Sequence, residues 1–395
     1  LRQQLPEADI RMKAGKDNIF SRFLKYCGYT FTSADMNMTM SAATGMNGAL
    51  QVNELTAAGV LLDTIRFNVV SDSVNCTYNG QIRNSKNNPQ YVFNSLFDGY
   101  VFDRGSGLNI SIYDAANRLG IKLGATATIE DTGTRLHLLT DDIILGYKRF
   151  EANENNYLFL GDDNRVSANL KLKSADGMGL QVYTNDENHD ALQDITVGLS
   201  NFDLSKITAV LPYFPKITGN MNGDFHAIQT KENITLSSNL SVDKMTYEGC
   251  SLGDISTEFV YIPQEDGSHY LDAVLFSEGS QVGSLIGTYH PAGKGVLNAD
   301  LKLEHLPMKI VNGFIPQQLF GFEGYADGSM KVRGELSKPH VDGEVFLDSM
   351  YMVSVPYGVK LRFSDDPVRV VDSKLMLENF EVFGHNDKPL NIYGN

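Results

Sequence analysis

Tryptophan is absent from the 395 residues, and cysteine occurs only at Cys27, Cys76 and Cys250. Three scattered thiols make no disulfide framework, and no CxxC or His/Cys ligand spacing accompanies them, so neither a stapled fold nor a zinc site is expected. No run of roughly eighteen apolar residues exists, so no segment has the length of a membrane-spanning helix. Positive charge is scarce: 33 Lys and Arg face 48 Asp and Glu, for a net charge of −15. Nucleic acid is thereby excluded as a partner, because its binding draws on clustered basic residues that release counterions. An anionic membrane surface repels most of such a chain for the same reason. Leu1-Arg2-Gln3-Gln4 is no basic leader before an apolar core, and residues 391–395 fall within a strand-like pattern. The chain therefore reads as an internal segment of a longer protein.

What is plentiful is alternation, punctuated by 36 glycines. The organising stretch is 299–363. It opens with Leu301, Leu303, Leu306 and Met308 on one side and runs to Ile315-Pro316. Gly324, Gly328, Gly334, Pro339 and Gly343 then space out further strands up to Tyr357-Gly358. The same text occurs 104 to 105 residues earlier. Val197, Leu199, Phe202 and Leu204 match the alternation, and Leu211-Pro212 matches Ile315-Pro316. Gly219 and Gly223 match Gly324 and Gly328, while Leu252-Gly253 and Phe259 match Tyr357-Gly358 and Phe363. A weaker copy near the start sets Leu50, Val52, Leu55, Thr56 and Gly59 against Leu240, Val242, Met245, Thr246 and Gly249. Repetition of this kind means one supersecondary unit used several times, with neighbours covering each other's apolar faces.

Taken in order, Ile19, Phe20, Phe23, Leu24 and Cys27 fall on one face at helical spacing, with Asp17 as the N-cap. Met36, Met38 and Met40 alternate with polar residues as a half-buried strand does. Short strands follow through Val70 and Ile82, a loop over 84–89, and a second short helix over 91–97. Cleaner alternation comes next, at Leu108, Ile110 and Ile112, at Leu136 and Leu138, at Val166 to Leu172, and at Leu180 and Val182. Strand-length segments with a turn every ten or so residues predict a mostly antiparallel all-β fold. Two more short helices are expected, from a cap at Asp203 or Ser205 to Leu211 and over 308–320. Both precede a Gly-x3-Gly turn, where a short amphipathic helix covers the open side of a curved sheet or simply packs into a core. The polar stretch 187–193 is the expected linker, which divides the chain into β-repeat segments at 1–186, 187–298 and 299–395.

Short catalytic motifs occur, and each has a simpler reading. Gly249-Cys250-Ser251-Leu252-Gly253 fits the nucleophile elbow of α/β-hydrolases, which must lie between a parallel strand and a helix. Strand-like sequence follows instead, so Ser251 reads as a turn serine. Asp131-Thr132-Gly133 resembles an aspartic-protease loop, but that chemistry needs two carboxylates sharing a proton and the tripeptide occurs once. Asp186-x-Asn188-x-Asp190 begins like a calcium loop, yet lacks the sixth-position glycine and has Val197 where the bidentate Glu belongs. Residues 287–295 have the wrong glycine spacing for a phosphate loop. No acid, base and nucleophile constellation survives, so no catalysis, cofactor or metal is expected.

Alternation sustained over hundreds of residues must hide a long apolar face. A closed sandwich hides it fully. A long curled sheet leaves a trough able to hold acyl chains, each methylene contributing about 0.8 kcal/mol on leaving water. At strand spacings of about 4.8 Å, such a stack is on the order of 100 Å long. The wall residues expected are Leu170, Leu172, Leu301, Leu303, Met330, Val332, Val345, Leu347, Val359, Leu361 and Phe363. Which alternating set faces inward is open, since a one-residue slip reverses it.

Leu301, Leu303, Leu306 and Met308, the short helix after them, Gly324-x3-Gly328-x-Met330-x-Val332-x-Gly334, Lys338-Pro339-x3-Gly343-x-Val345 and Tyr357-Gly358 resemble the C-terminal repeats of TamB/AsmA-like envelope proteins. The passage 135–180, with Asn164-Arg165-Val166 and Leu170-x-Leu172, resembles them too. The resemblance implies an elongated, curved β-taco sheet with an apolar inner side, in a periplasmic protein anchored in the inner membrane by a helix outside this sequence. It further implies a non-enzymatic carrier of phospholipid acyl chains towards the outer membrane. With an outer-membrane Omp85-class (TamA-like) partner, bound through regions outside this sequence, it implies support for outer-membrane protein assembly. The competing expectation is a structural or adhesive β-repeat protein with closed cores and a polar binding surface.

Overall fold

Alternation becomes strands along the whole chain. The computed structural model describes residues 5–57, 60–71, 74–84, 92–185, 190–212, 214–315, 320–354, 356–385 and 388–394. It divides into two compact units, Leu1–Gly179 with Ser205–Phe214, and Leu180–Leu204 with Pro215–Asn395. The protein is all-β and antiparallel, with a few short helices, as the periodicity predicts. No helix among the described residues is long and apolar enough to cross a membrane.

The first unit begins β1 (Ala8–Gly15), α1 (Ile19–Tyr26), β2 (Tyr29–Thr30), β3 (Ser33–Ser41), β4 (Gly45–Ala57), β5 (Val60–Ser71) and β6 (Cys76–Asn84). It continues with β7 (Phe93–Phe102), β8 (Gly105–Asp114), β9 (Leu119–Glu130), β10 (Gly133–Leu138), β11 (Ile143–Leu145), β12 (Lys148–Ala152), β13 (Tyr157–Gly161) and β14 (Val166–Ser174). β1 pairs with β3, and from β3 to β9 each strand pairs with the next. At β9 the sheet forks: one arm runs β10–β13–β14, the other β11–β12–β14. Residues paired directly opposite share a face, so register alone sorts the side chains. Met12, Met36, Leu50, Phe67, Gly80, Phe97, Ile110 and Leu123 form one continuous rung. One residue along, Asn68, Asn79, Asp98 and Asn109 form a polar rung on the other face. There Asn68 Nδ2 donates to Asn79 Oδ1 at 3.0 Å and Asn109 Nδ2 to Asp98 at 2.9 Å.

β15 (Gly179–Thr184) straddles the division, and β16 (Gln193–Asp203) and α2 (Leu204–Thr208) follow. The second unit continues through β17 (Ile217–Gln229), β18 (Ile234–Tyr247), β19 (Cys250–Pro263), β20 (His269–Ser277), β21 (Ser280–His290) and β22 (Val296–Pro307). After α3 (Lys309–Asn312) come β23 (Gly321–Glu335), β24 (His340–Ser354), β25 (Val359–Phe363), β26 (Val368–Val371), β27 (Lys374–Phe383) and β28 (Pro389–Gly394). From β16 to β24 the strands form an unbroken meander. β25 and β26 then share the far edge of β24, and β27 pairs with both of them.

The repeat is physical. β16–α2–β17–β18 and β22–α3–β23–β24 carry the same irregularities 104 to 105 residues apart. Register shifts fall between Leu199 and Phe202 and between Leu303 and Leu306, and again at Thr218/Asn220 and Glu323/Tyr325. Positive φ angles recur at Asn201 and His305, at Gly219 and Gly324, and at Lys244 and Ser349. Glu54, at φ 53, holds the same place in the early copy. Such bulges bend a strand and raise its twist. Each is tied to its neighbour: the Asn201 backbone N–H donates to Asn222 Oδ1, that of Lys244 to Asp254 Oδ1, and that of His305 to Asp327 Oδ1, all at 2.7 Å. Asp327→Ala and Asp254→Ala are each expected to lower stability by about 1 kcal/mol, read by denaturant titration, because one strand N–H loses its partner.

Several local expectations need correction. The helix expected over 91–97 is strand β7 from Phe93 on, with Tyr91 outside the described residues. Phe93 and Ser95 bury while Asn94 pairs with Arg83 and Tyr113, and that two-sided pairing overrides local preference. The N-cap of α1 is Asn18, whose side chain accepts from the Ser21 N–H at 2.8 Å, and not Asp17. α2 and α3 are single turns, shorter than expected, and Pro316 lies outside the described residues. The loop expected over 84–89 is described only at Asn84, which closes β6. Asp186, Asn188 and residues 187–189 of the expected linker at 187–193 also lie outside, while Gln193 opens β16.

Candidate functional site

Register places the eleven wall residues of the sequence reading. In β14, Leu170 and Leu172 follow Ala168 at alternate positions, and Ala168 faces Leu158, which faces Leu136. In the second unit, one rung runs Val197, Phe225, Ser238, Phe259, Ala273, Leu285, Leu301, Met330, Gly343, Val370, Leu375. Leu303 and Val345 lie on the next rung, flanking Gly328, and Val332 faces Ala299 and Val341 on the one before. Leu347 faces Ala326, and Leu361 faces Met352, which faces Phe322. Val359 stands beside Ser354, and the Phe363 ring lies 6.3 Å from that of Phe322. Each unit thus collects its share on one face.

The opposite face is mostly polar, although Ile286, beside Asp300, and Phe346, beside Asp327, stand exposed on it. Asp300, Lys331 and Asp342 make one polar rung, and Lys302, Ser329 and Glu344 the next. Gln281 donates to Glu304 at 2.8 Å, Lys302 pairs with Glu304, and Lys360 pairs with Glu323 at 2.9 Å. These groups are solvated, so their pairs add little stability.

The apolar face is not sealed. Leu301, Leu303, Met330, Val332, Val345, Leu347, Leu361 and Phe363 are half-buried, and Val359 is 38% exposed. Only some members, such as Leu172, Leu297, Ala299 and Ala326, are fully buried. Burial raises the phenol pKa of Tyr78 on this face of the first unit, with Asp98 adding to the effect. Burial likewise raises that of Tyr261 on this face of the second unit, with Tyr289 adding to it. No family model, curated protein or solved structure matches the chain.

What this face offers chemically is apolar contact area. Ser251 lies in β19 opposite Thr246, inside an antiparallel hairpin, which is not the strand-to-helix elbow. Asp131 sits in the β9–β10 turn and accepts from Arg104 at 2.8 Å. Among the described residues no three His, Cys, Asp or Glu side chains stand together as metal ligands.

Most of the apolar wall in the first unit does not show in the alternation alone. Phe67 and Phe97 stack at 6.4 Å over Gly80, where a Cβ would meet the Phe97 ring at 2.2 Å, so glycine there lets the aromatic lie flat. Tyr78 covers Gly99 in the same way. The alternation of Met36 to Met40 and of Leu108 to Ile112 already marked this face. Glycines interrupting the apolar rungs concealed its continuity.

Proposed function

We propose that the apolar faces of the two units hold phospholipid acyl chains, and that the chain is a lipid-carrying segment of a TamB/AsmA-like envelope protein. One observation carries this reading: a mostly apolar rung from Val197 to Leu375, broken by Ser238 and Gly343, whose members keep part of their surface in solvent. Monomeric soluble proteins rarely leave so large an apolar area uncovered unless something occupies it. An acyl chain laid along the rungs loses its hydration as it would in a bilayer, so its net transfer from membrane to protein costs little. The polar face keeps the sheet soluble while the other face is filled. On this reading the protein works in the periplasm, moves phospholipid towards the outer membrane and supports outer-membrane protein assembly with an Omp85-class partner. A structural β-repeat with closed cores is disfavoured by the half-exposure of Met330, Val332 and Val345.

A photoreactive residue at Val332 or Leu361 is expected to capture phospholipid in cells, and one at Arg333, exposed on the polar face, is not. Capture at none of the three, or equally at all, would sink the proposal.

A further inference from the structure

α1 is apolar on two sides. Leu24 packs inward on Ala14, Phe31 and Ala34, with Met12, Val52 and Leu55 around them. Ala14, Ala34 and Val52 are a rung of the apolar face, so the helix sits over that face at the β1 end of the first unit. Helical spacing alone puts Ile19, Phe20, Phe23, Leu24 and Cys27 on one face, whereas the structure turns Leu24 inward and Ile19 and Phe23 outward. Ile19, Phe23 and Tyr26, at i, i+4 and i+7, point away from Leu24 and are 88%, 62% and 92% exposed. A core helix hides such residues; an outward stripe of them marks a docking surface.

The surrounding charge says what docks. Residues 10–30 hold five basic side chains against one acidic, within a chain of net charge −15. Arg11 and Lys13 pair with Asp9 and Asp35, but exposed Lys16, Arg22 and Lys25 form no salt bridge among the described residues. Basic groups beside an isoleucine, a phenylalanine and a tyrosine on an exposed helix match the interface of an anionic bilayer, where rings sit at headgroup level and cations meet phosphate. We propose that α1 docks the first unit on an anionic lipid surface, placing the β1 end of its apolar face where lipid leaves the bilayer. This rests on the lipid-carrier reading and adds the membrane contact to it.

The test is flotation of the whole chain with phosphatidylcholine vesicles, alone or mixed equally with phosphatidylglycerol. Wild type is expected to float with the mixed vesicles and about tenfold less with phosphatidylcholine alone. The triple variant Ile19→Ser, Phe23→Ser, Tyr26→Ser is expected to lose at least about tenfold in binding at an unchanged melting temperature, since all three are exposed. A polarity-sensitive dye on the exposed Cys27, with Cys76→Ser and Cys250→Ser, is expected to shift to the blue on mixed vesicles only. Flotation of the triple variant equal to wild type overturns the proposal. So does wild type that binds neither vesicle, which would assign the stripe to a protein partner. Lipid capture at Val332 reads the carrier function separately: capture without docking sinks only this inference, and docking without capture sinks the carrier reading and leaves α1 as a membrane contact with no lipid to deliver.

Discussion

If the apolar face carries lipid as proposed, Met330→Glu is expected to fold and to purify without bound lipid. Met330 lies half-buried in mid-rung, between Leu301 on β22 and Gly343 on β24. In a sealed core, a carboxylate there has no route to water, and an unpaired buried charge costs several kcal/mol. On an open face the same side chain turns its carboxylate outward along its own stem, and the cost falls to about 1 kcal/mol or less. The ligand does not escape so lightly. An acyl chain that gives up contact for about three methylenes forfeits roughly 2.4 kcal/mol, or about fiftyfold in occupancy. Ser329→Glu is the matched control: it is exposed, one residue away on the polar face, between Lys302 and Glu344. It is expected to change neither melting temperature nor lipid content. Native mass spectrometry with organic extraction reads occupancy, and calorimetry reads the fold. A Met330→Glu protein that unfolds shows a closed core, and one that keeps its lipid places the ligand elsewhere.

Much of this was legible in the residues because a strand's period of two is short-range and survives any tertiary arrangement. Met36, Met38 and Met40 declare β3, and Leu301 and Leu303 declare β22, without knowledge of their partners. Helices read less well. α2 and α3 are single turns set by the bulges before them, whereas the apolar spacing over 308–320 suggested three turns or more. Residues 91–97 fit a helical pattern locally, and only pairing of β7 with β6 and β8 decides against it. The wall residues were legible as an alternating set, but not as one face, because facing is a property of register between strands. The outward stripe of α1 was hidden for a related reason: five apolar positions in nine residues look like one buried face until packing assigns Leu24 inward.

Gly324→Ala is expected to cost unit two at least about 3 kcal/mol, and the reason is where its Cβ would go. Gly324 has φ +97, outside the range that L residues adopt without strain. A Cβ there would also lie 2.4 Å from the Ser349 carbonyl oxygen and 2.7 Å from the Met350 Cα, backbone atoms held by the β23–β24 pairing. Conformation and contact therefore add. Gly267 separates them, with φ +78 but open space around it, so Gly267→Ala carries the conformational part alone, about 1–2 kcal/mol. For a body of this size each kcal/mol moves the midpoint by about 2–4 °C, so Gly324→Ala lowers the melting temperature of unit two by roughly 6–12 °C. Gly219, its counterpart one repeat earlier, has φ +128 and meets Val242 Cγ1 at 2.6 Å and the Asp243 oxygen at 2.8 Å, so Gly219→Ala belongs with the severe variant. If calorimetry instead groups Gly324→Ala with Gly267→Ala, the strands do not cross as closely as the bulge requires. The bend these bulges give the apolar face then loses its physical basis.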